Sequence, residues 1–362
     1  MPHKKIVRCL LDWFAKDARD LPWRRTRDPY AIWVSEIMLQ QTQVKTVIPY
    51  WERWMRQVPT VRALAKADSS RLHKLWEGLG YYSRVRNMQK AARVIMKEHG
   101  GRFPQEFEDI LALPGIGRYT AGAICSIAFN QRYPVLDGTV VRVLTRVFGI
   151  GGNPRESQTN ARLWRLAEDL VQNVAFPASN VNQALMELGA LICTARQPRC
   201  ALCPVTRFCV ALREDRIEAL PAASPRVQAS QRHVAAFVFE HKGRFLVRQR
   251  PGDSVNAHLW EFPNMELMPD CDVRKTAEKE LPVPLVLEPF CTIKHSITRF
   301  RITLDVYRAA VPNGIRPPWP ASARWLTKTA LDRLPFTSAH RKILLKLRVH
   351  MPRLVHNSRN GA

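Results

Sequence analysis

The sequence predicts two unlike parts: a mostly α-helical region over residues 1–212 and a smaller α+β domain over 232–350, joined by a linker at 213–231. Three observations carry this. Through the first part, apolar residues recur at helical spacing. Trp51, Trp54, Met55 and Val58 share one face, and Leu72, Leu75, Trp76 and Leu79 another, with turn signals at Pro59, Gly100-Gly101, Pro134, Gly149 to Pro154 and Pro177. The stretch REDRIEALPAASPRVQASQ then carries charge, proline, alanine and serine without periodicity, as a linker does. Beyond it the period drops to two. His233 to Phe239, a His241-Lys-Gly243 turn and Arg244 to Arg250 read as a hairpin, and Phe300, Ile302, Leu304 and Val306 alternate along one strand face. Residues 271–281 and 337–349 read as helices, and 351–362 as a disordered tail.

A chain of 362 residues, 46% hydrophobic, can build more than one core. Its net charge of +25 points to a polyanionic partner, nucleic acid first. No apolar run is long enough to span a membrane. The N-terminus, with Ile6, Leu10, Trp13 and Phe14 at helical spacing among charges, reads as an amphipathic helix and not a signal peptide. These features place the protein in the cytosol, or in the nucleus of an organism that has one.

Of eight cysteines, Cys9, Cys125, Cys271 and Cys291 are scattered and read as ordinary thiols. The rest form Cys193-x6-Cys200-x2-Cys203-x5-Cys209. Thiolates are soft ligands, and this spacing alone leaves zinc and a four-thiolate iron–sulfur cluster both open. Leu113-Pro-Gly-Ile-Gly-Arg-Tyr-Thr-Ala-Gly-Ala123 reads as a tight turn at Gly115 and Gly117 that opens a helix. Asp137 precedes an apolar helical run, where an N-cap and a catalytic carboxylate are compatible roles. Glu36 is the one acid within Ile32, Val34, Ile37, Met38 and Leu39, so its pKa is raised if it is buried; on pattern alone a solvent-facing glutamate is the commoner case.

Trp33-Val-Ser-Glu-Ile-Met-Leu-Gln-Gln-Thr-Gln-Val44 closely resembles the signature of the adenine glycosylase (MutY) family, within the helix-hairpin-helix, Gly/Pro–Asp superfamily of DNA glycosylases. Leu21-Pro-Trp-Arg24, Gly78-Leu-Gly-Tyr-Tyr-Ser-Arg-Val-Arg-Asn87, the Gly115/Gly117 turn, the Asp137 stretch and the cysteine spacing match as well, so that the resemblance runs from about residue 8 to 210. It implies a six-helix barrel module over about 22–132, with the helix-hairpin-helix at 113–124, and an iron–sulfur module built from 1–21 and 133–212. Cys193, Cys200, Cys203 and Cys209 would hold a [4Fe–4S] cluster, and the backbone at Gly115 and Gly117 a DNA phosphate. The family's roles, carried over, make Glu36 the acid that protonates adenine N7 and Asp137 the carboxylate that stabilises a cationic sugar. Trp23, Arg24, Leu39 and Glu187 would line the base pocket. Gln41 and Tyr81 would wedge into the duplex near the opposite base, 8-oxoguanine or guanine, with Thr42 and Arg84 beside them on the DNA. Tyr119 stands where a lyase relative places lysine; a tyrosine supplies no amine nucleophile, so a base-removing enzyme that leaves the strand uncut is implied.

His258-Leu-Trp-Glu-Phe-Pro-Asn-Met-Glu266 resembles the entry to a Nudix fold, but no R-E-x-x-E-E cluster follows to hold magnesium. Adenine glycosylases carry such a degenerate Nudix-like domain to read 8-oxoguanine. At the base-reading stretch His295 matches the family, whereas Ile297, Thr298 and Arg299 depart from it, Thr298 still offering a hydroxyl to the base. Thr139, where the family usually has asparagine, is a second departure. The whole implies a monomer acting on double-stranded DNA that contains adenine opposite 8-oxoguanine or guanine, with no membrane role and with any repair-protein partners unspecified. A thymine-mismatch or endonuclease III-like glycosylase and an inactive DNA binder are the alternatives.

Overall fold

Local sequence signals set the helix ends in the computed structural model, which describes residues 2–172, 175–222, 228–268, 271–280, 284–297, 299–310 and 322–349. The helical region contains α1 (Pro2–Asp17), α2 (Pro29–Leu39), α3 (Val44–Gln57), α4 (Val61–Lys66), α5 (Ser69–Trp76), α6 (Ser83–Glu98), α7 (Phe107–Leu111), α8 (Arg118–Phe129), α9 (Gly138–Phe148), α10 (Ser157–Gln172), α11 (Ala178–Leu191) and α12 (Val210–Arg213). Asp28, Thr60, Asp68 and Asp137 cap four of them, each accepting a backbone N–H from the first turn at 2.7–3.1 Å. Asn130 and Gly149 end α8 and α9 in left-handed conformations, with φ of 54° and 64°.

The described residues of 1–67 and 84–222 form one unit; 68–83 and the described residues from 228 onward form the other. In the first, Ile6 and Leu10 of α1 are buried with Val140, Val143, Leu144 and Val147 of α9, Leu163 and Leu170 of α10, and Val181, Leu185 and Leu188 of α11. The chain's first helix therefore shares a core with residues 135–205. The junction of α8 with the segment before α9 is close: a Cβ on Gly122 would lie 2.4 Å from the Pro134 carbonyl oxygen, so only glycine fits there.

The stretch read as a linker begins as part of this unit. Leu220 is buried, and the Arg146 Nε donates to the carbonyls of Ile217 (3.1 Å) and Leu220 (2.9 Å). Backbone carbonyls held by one arginine leave no hydrophobic period, which is why the sequence reads as a linker throughout. The expected tail at 351–362 lies outside the described residues.

The second unit is a mixed sheet between helices. It comprises β1 (Ser230–His241), β2 (Arg244–Gln249), β3 (Trp260–Glu261), β4 (Asn264–Leu267), α13 (Val273–Glu280), β5 (Val286–Ile297), β6 (Phe300–Ala310), β7 (Ala323–Thr327), α14 (Lys328–Arg333) and α15 (Ser338–Val349). The order is β3-β2-β1-β6-β5, with β4 on β1 and β7 on β2. β1 and β2 form the hairpin read from the sequence, with His241 opposite Arg244, while β1 and β6 run parallel. The continuous apolar run in β1 serves two faces. Ala236 and Val238 are buried with residues of α14 and α15, and Ala235, Phe237 and Phe239 with Ala277 of α13. Among the described residues no helix is long and apolar enough to cross a membrane.

Candidate active site and cysteine-lined cavity

Glu36 lies on α2, whose residues Tyr30 to Met38 are all buried. Burial pushes its carboxyl up to about 7, the Asp137 charge adds to this, and the Tyr119 hydroxyl, donating to Glu36 Oε2 at 2.8 Å, partly offsets it. The same burial, with the charges of Glu36 and Asp137, raises the Tyr119 phenol well above its ordinary range, so it remains a donor.

Asp137 is brought to this site by two devices. As N-cap of α9 it accepts from Val140 N at 2.7 Å, which fixes its side chain at the helix N-terminus. The strand-like segment before it is stapled by Asn182, which is fully buried on α11. Asn182 Nδ2 donates to the Tyr133 carbonyl and to Ser126 Oγ, both at 2.8 Å, and its Oδ1 accepts from Val135 N at 3.3 Å. Asn182 thus joins α8, α11 and the approach to Asp137.

Glu187, also on α11, is 1% exposed yet ionised. Burial alone would raise its pKa, but hydrogen bonds from Arg19 and Arg24 hold it down at about 2. Arg19 bonds it through Nε at 2.8 Å and Nη2 at 2.6 Å, and Arg24 through Nη2 at 3.0 Å. Trp23 is buried in the same turn, edge-on to Trp51, and Leu39 is half-buried at the end of α2. Glu36, Asp137 and Tyr119 are therefore gathered at one place, with Glu187 and Arg24 joined in an ion pair on neighbouring elements.

The remaining expected DNA-side residues divide. Gln41 and Tyr81 are both held in left-handed backbone, with φ of 55° and 46°, and Tyr81 is 44% exposed. Arg84, expected on the DNA surface, turns inward instead. It is 7% exposed, and its Nη1 donates to the carbonyls of Ile37 (2.8 Å), Met38 (3.1 Å) and Gln40 (2.6 Å), while Nη2 reaches Thr42 Oγ1 at 3.4 Å. A cation there satisfies the orphan carbonyls at the end of α2, so Arg84 shapes the Gln41–Thr42 turn from behind. Gly115, with φ of 80°, makes the turn between α7 and α8; a Cβ there would strike Asn87 at 2.6 Å. Gly117 starts α8 with open space before it, leaving the first N–H groups of the helix approachable by an anion. His295 lies on β5 opposite Ile302, half-buried, its pKa lowered by burial and by Lys342. The stretch that was expected to read the base is thus the end of a tight β5–β6 pairing, and Thr298 lies outside the described residues.

Cys193, Cys200, Cys203 and Cys209 line one cavity, walled also by Val147, Leu188 and Ile192. Burial pushes up the thiols of Cys200 and Cys209, and that of Cys203 to about 11. Among the described residues, no three His, Cys, Asp or Glu side chains converge closely enough to hold a single metal ion. Arg146 on α9 is buried beside this loop, its Nη1 donating to the Thr194 carbonyl at 2.6 Å and reaching Cys193 Sγ at 3.5 Å. Arg142, one turn earlier, bonds the carbonyls of Cys193 (2.7 Å) and Gly189 (2.8 Å). The helix that begins at Asp137 is in this way fastened to the cysteine loop.

Sequence reasoning did not single out Arg19, Asn182 or Arg146 as site residues. Asn182 left one faint signal, a polar amide inside an otherwise apolar helix face. Arg19 left none, because its partner stands 168 positions away.

Comparison with known proteins identifies the family. The profile for HhH-GPD superfamily base excision DNA repair proteins matches residues 34–169, and that for the NUDIX domain matches 234–346. Fold and site together thus define a helix-hairpin-helix DNA glycosylase with an appended Nudix domain. The adenine DNA glycosylase of Mus musculus is 38% identical over 394 residues, 92% of this chain and 76% of the relative. That of Homo sapiens is 38% identical over 397 residues, 92% and 72%. A solved thermostable thymine-DNA glycosylase superposes with a TM-score of 0.54 at 32% identity, covering 59% of this chain and 97% of that one. The chain belongs to the adenine DNA glycosylase family.

Because Asn182 satisfies three buried partners at once, Asn182→Ala is expected to cost about 2–4 kcal/mol in urea unfolding. An unchanged midpoint would show that the staple does not hold the Asp137 segment.

Proposed function

We propose that the protein removes adenine paired with 8-oxoguanine or guanine in double-stranded DNA, hydrolysing the N-glycosidic bond and leaving the sugar–phosphate strand uncut. The observation that carries this is the pair of unlike carboxyls: Glu36, buried, bonded to Tyr119 and raised to about 7, and Asp137 at the N-terminus of α9. Departure of a base from deoxyribose passes through an oxocarbenium-like state, which needs an acid at the leaving group and a negative charge at the sugar. The adenine is flipped out of the stack to reach them. Glu36 then protonates N7, making the base a neutral leaving group. Asp137 stabilises the cationic sugar, and water adds at C1′ to give an abasic site. Tyr119 keeps Glu36 oriented by its hydroxyl and offers no amine for attack on the sugar. Gly115 and Gly117 would admit a phosphate to the start of α8, and the C-terminal unit, through His295 and Thr298, would read the opposite base as one monomer engages the duplex.

The four cysteines suit a [4Fe–4S] cluster better than zinc. They surround one cavity and offer four soft thiolates, the ligand set of a cubane cluster in the family the chain resembles. Cys193, Cys200, Cys203 and Cys209 would hold it, and when bound it would supply a rigid anchor for the loop that Arg142 and Arg146 tie to α9. The similarity to a thymine-DNA glycosylase favours a second reading, thymine removal, but that likeness covers only 59% of the chain and leaves the Nudix unit without a role.

Duplexes holding adenine opposite 8-oxoguanine, adenine opposite guanine, or thymine opposite guanine distinguish the readings. Alkali-dependent breaks at adenine are expected, those opposite 8-oxoguanine forming fastest. Breaks without alkali would overturn the monofunctional mechanism, and breaks at thymine the substrate.

The acid role of Glu36 fixes a pH dependence. Only the protonated carboxyl can donate, so kcat/KM is expected to fall as pH rises above about 7. The sign for stability is parallel. Below about 4.5 the group is protonated in both states; between 4.5 and 7 only the unfolded chain ionises, so stability is lost as pH rises through that window. Glu36→Gln is expected to abolish base release yet to gain about 2–3 kcal/mol of stability at pH 8 relative to the same comparison at low pH. Retained activity in this variant would sink the mechanism.

Purified protein is expected to contain iron and acid-labile sulfide in near-equal amounts, with loss of both in Cys203→Ser. Zinc alone, without sulfide, would reject the cluster assignment.

A further inference from the structure

Residues 68–83 group with the unit that holds the C-terminal sheet. What fastens them is specific. Glu77, the residue at which α5 ends, has a side chain only 14% exposed and lies among cations. Its Oε1 accepts the backbone N–H of Phe336 at 2.9 Å, and its Oε2 faces Lys74 Nζ at 2.7 Å and Arg341 Nε at 3.9 Å. Lys74 Nζ also donates to the Leu334 carbonyl at 2.9 Å. Phe336 is a firm anchor: it is fully buried, its ring lies 5.9 Å from that of Phe262, and it bridges to Trp260 of β3.

From Glu77 the chain has little freedom before Tyr81. Gly78, Gly80 and Tyr81 take φ of 106°, 71° and 46°, and Trp76 Nε1 donates to the Gly80 carbonyl at 3.1 Å, closing the turn. Tyr82 stacks on His73 at 6.1 Å, and His73 lies 6.4 Å from His258 in the exposed loop after β2. Glu77 thus lies within the turn that the Trp76–Gly80 bond closes, and Tyr81 follows it directly.

The geometry points to Glu77 as a positioning residue that fixes the Tyr81 side chain to the C-terminal domain, so that insertion of Tyr81 into the duplex and recognition of the opposite base occur as one event. This rests on the reading of Tyr81 as a wedge beside 8-oxoguanine. Glu77 itself touches neither base nor sugar; it acts through the turn it anchors.

The test uses the full chain carrying Glu36→Gln, so that the adenine stays in place. The duplex holds adenine opposite 8-oxoguanine, with 2-aminopurine stacked next to the 8-oxoguanine. Unstacking of that neighbour raises its fluorescence, which reports the wedge without turnover. Glu77→Ala and Glu77→Lys are each expected to lower the inserted population about tenfold, the effect of losing a charge-assisted hydrogen bond. Glu77→Gln keeps an acceptor for the Phe336 N–H and is expected to retain most of the signal. With Tyr81→Ala already present, Glu77→Ala is expected to add nothing, because both act on one event. Should Glu77→Lys fail to fold, the alanine and glutamine variants carry the comparison. An undiminished rise with Glu77→Ala, or losses that add in the double variant, would overturn the proposal. A chain with intact Glu77 and Tyr81 that gives no rise would overturn the reading of Tyr81 itself, and the positioning role with it.

Discussion

The burial of the Glu36 carboxyl inside an apolar helix is the constraint to which the rest of the catalytic unit answers. A buried carboxyl is neutral or ionised according to what surrounds it. A second buried acid, Glu187, sits on a helix of the same core, and left unpaired it would be costly in its own right. Arg19 and Arg24 remove that difficulty by holding Glu187 ionised at about 2, while Glu36, with a hydroxyl donor and no cation bonded to it, rises to about 7. Two glutamates in one core thus diverge, burial raising the one and arginine partners holding the other ionised, and on the proposed mechanism the first is the acid.

Asp137 is governed by a different restraint, the placement of α9. The helix is held at its start by its own cap and by Asn182 behind the preceding segment, and further along by Arg142 and Arg146, whose guanidinium groups collect carbonyls of the cysteine loop. Contact with α11 is close as well: a Cβ on Gly189 would lie 2.2 Å from Thr139 Cγ2. Thr139, the departure from the family's usual asparagine, thus packs its methyl group against a glycine. The helix that Asp137 caps also walls the cysteine-lined cavity, through Val147 near its other end.

What was legible in the sequence follows the range of the interactions. Glu36, Asp137, Tyr119 and the cysteines lie in short motifs whose residue types are fixed by chemistry, and helix starts at Asp28, Thr60, Asp68 and Asp137 are set by neighbours three residues away or fewer. The β1–β2 hairpin was legible because its turn and its alternation are both local. The Arg19–Glu187 pair and the Asn182 staple were not, since each joins segments far apart in sequence. Arg84 misled for a related reason: beside two tyrosines it looks like a DNA contact, and only the folded end of α2 shows the carbonyls that draw it inward. The grouping of 68–83 with the sheet was equally hidden, because its helical period says nothing of which core the helix joins.

Tyr119 shows how one side chain can decide between chemistries that share a fold. At this position an amine could attack the sugar and carry the reaction on to strand cleavage. A phenol forms no iminium and cannot, and here burial together with the charges of Glu36 and Asp137 keeps it protonated. The same proton that it retains is donated to Glu36. Loss of that proton would remove the one hydrogen bond by which Tyr119 holds the Glu36 carboxyl. On the proposed mechanism, stopping at the abasic site follows from the absence of an amine at position 119, and the phenol that stands there serves Glu36 instead.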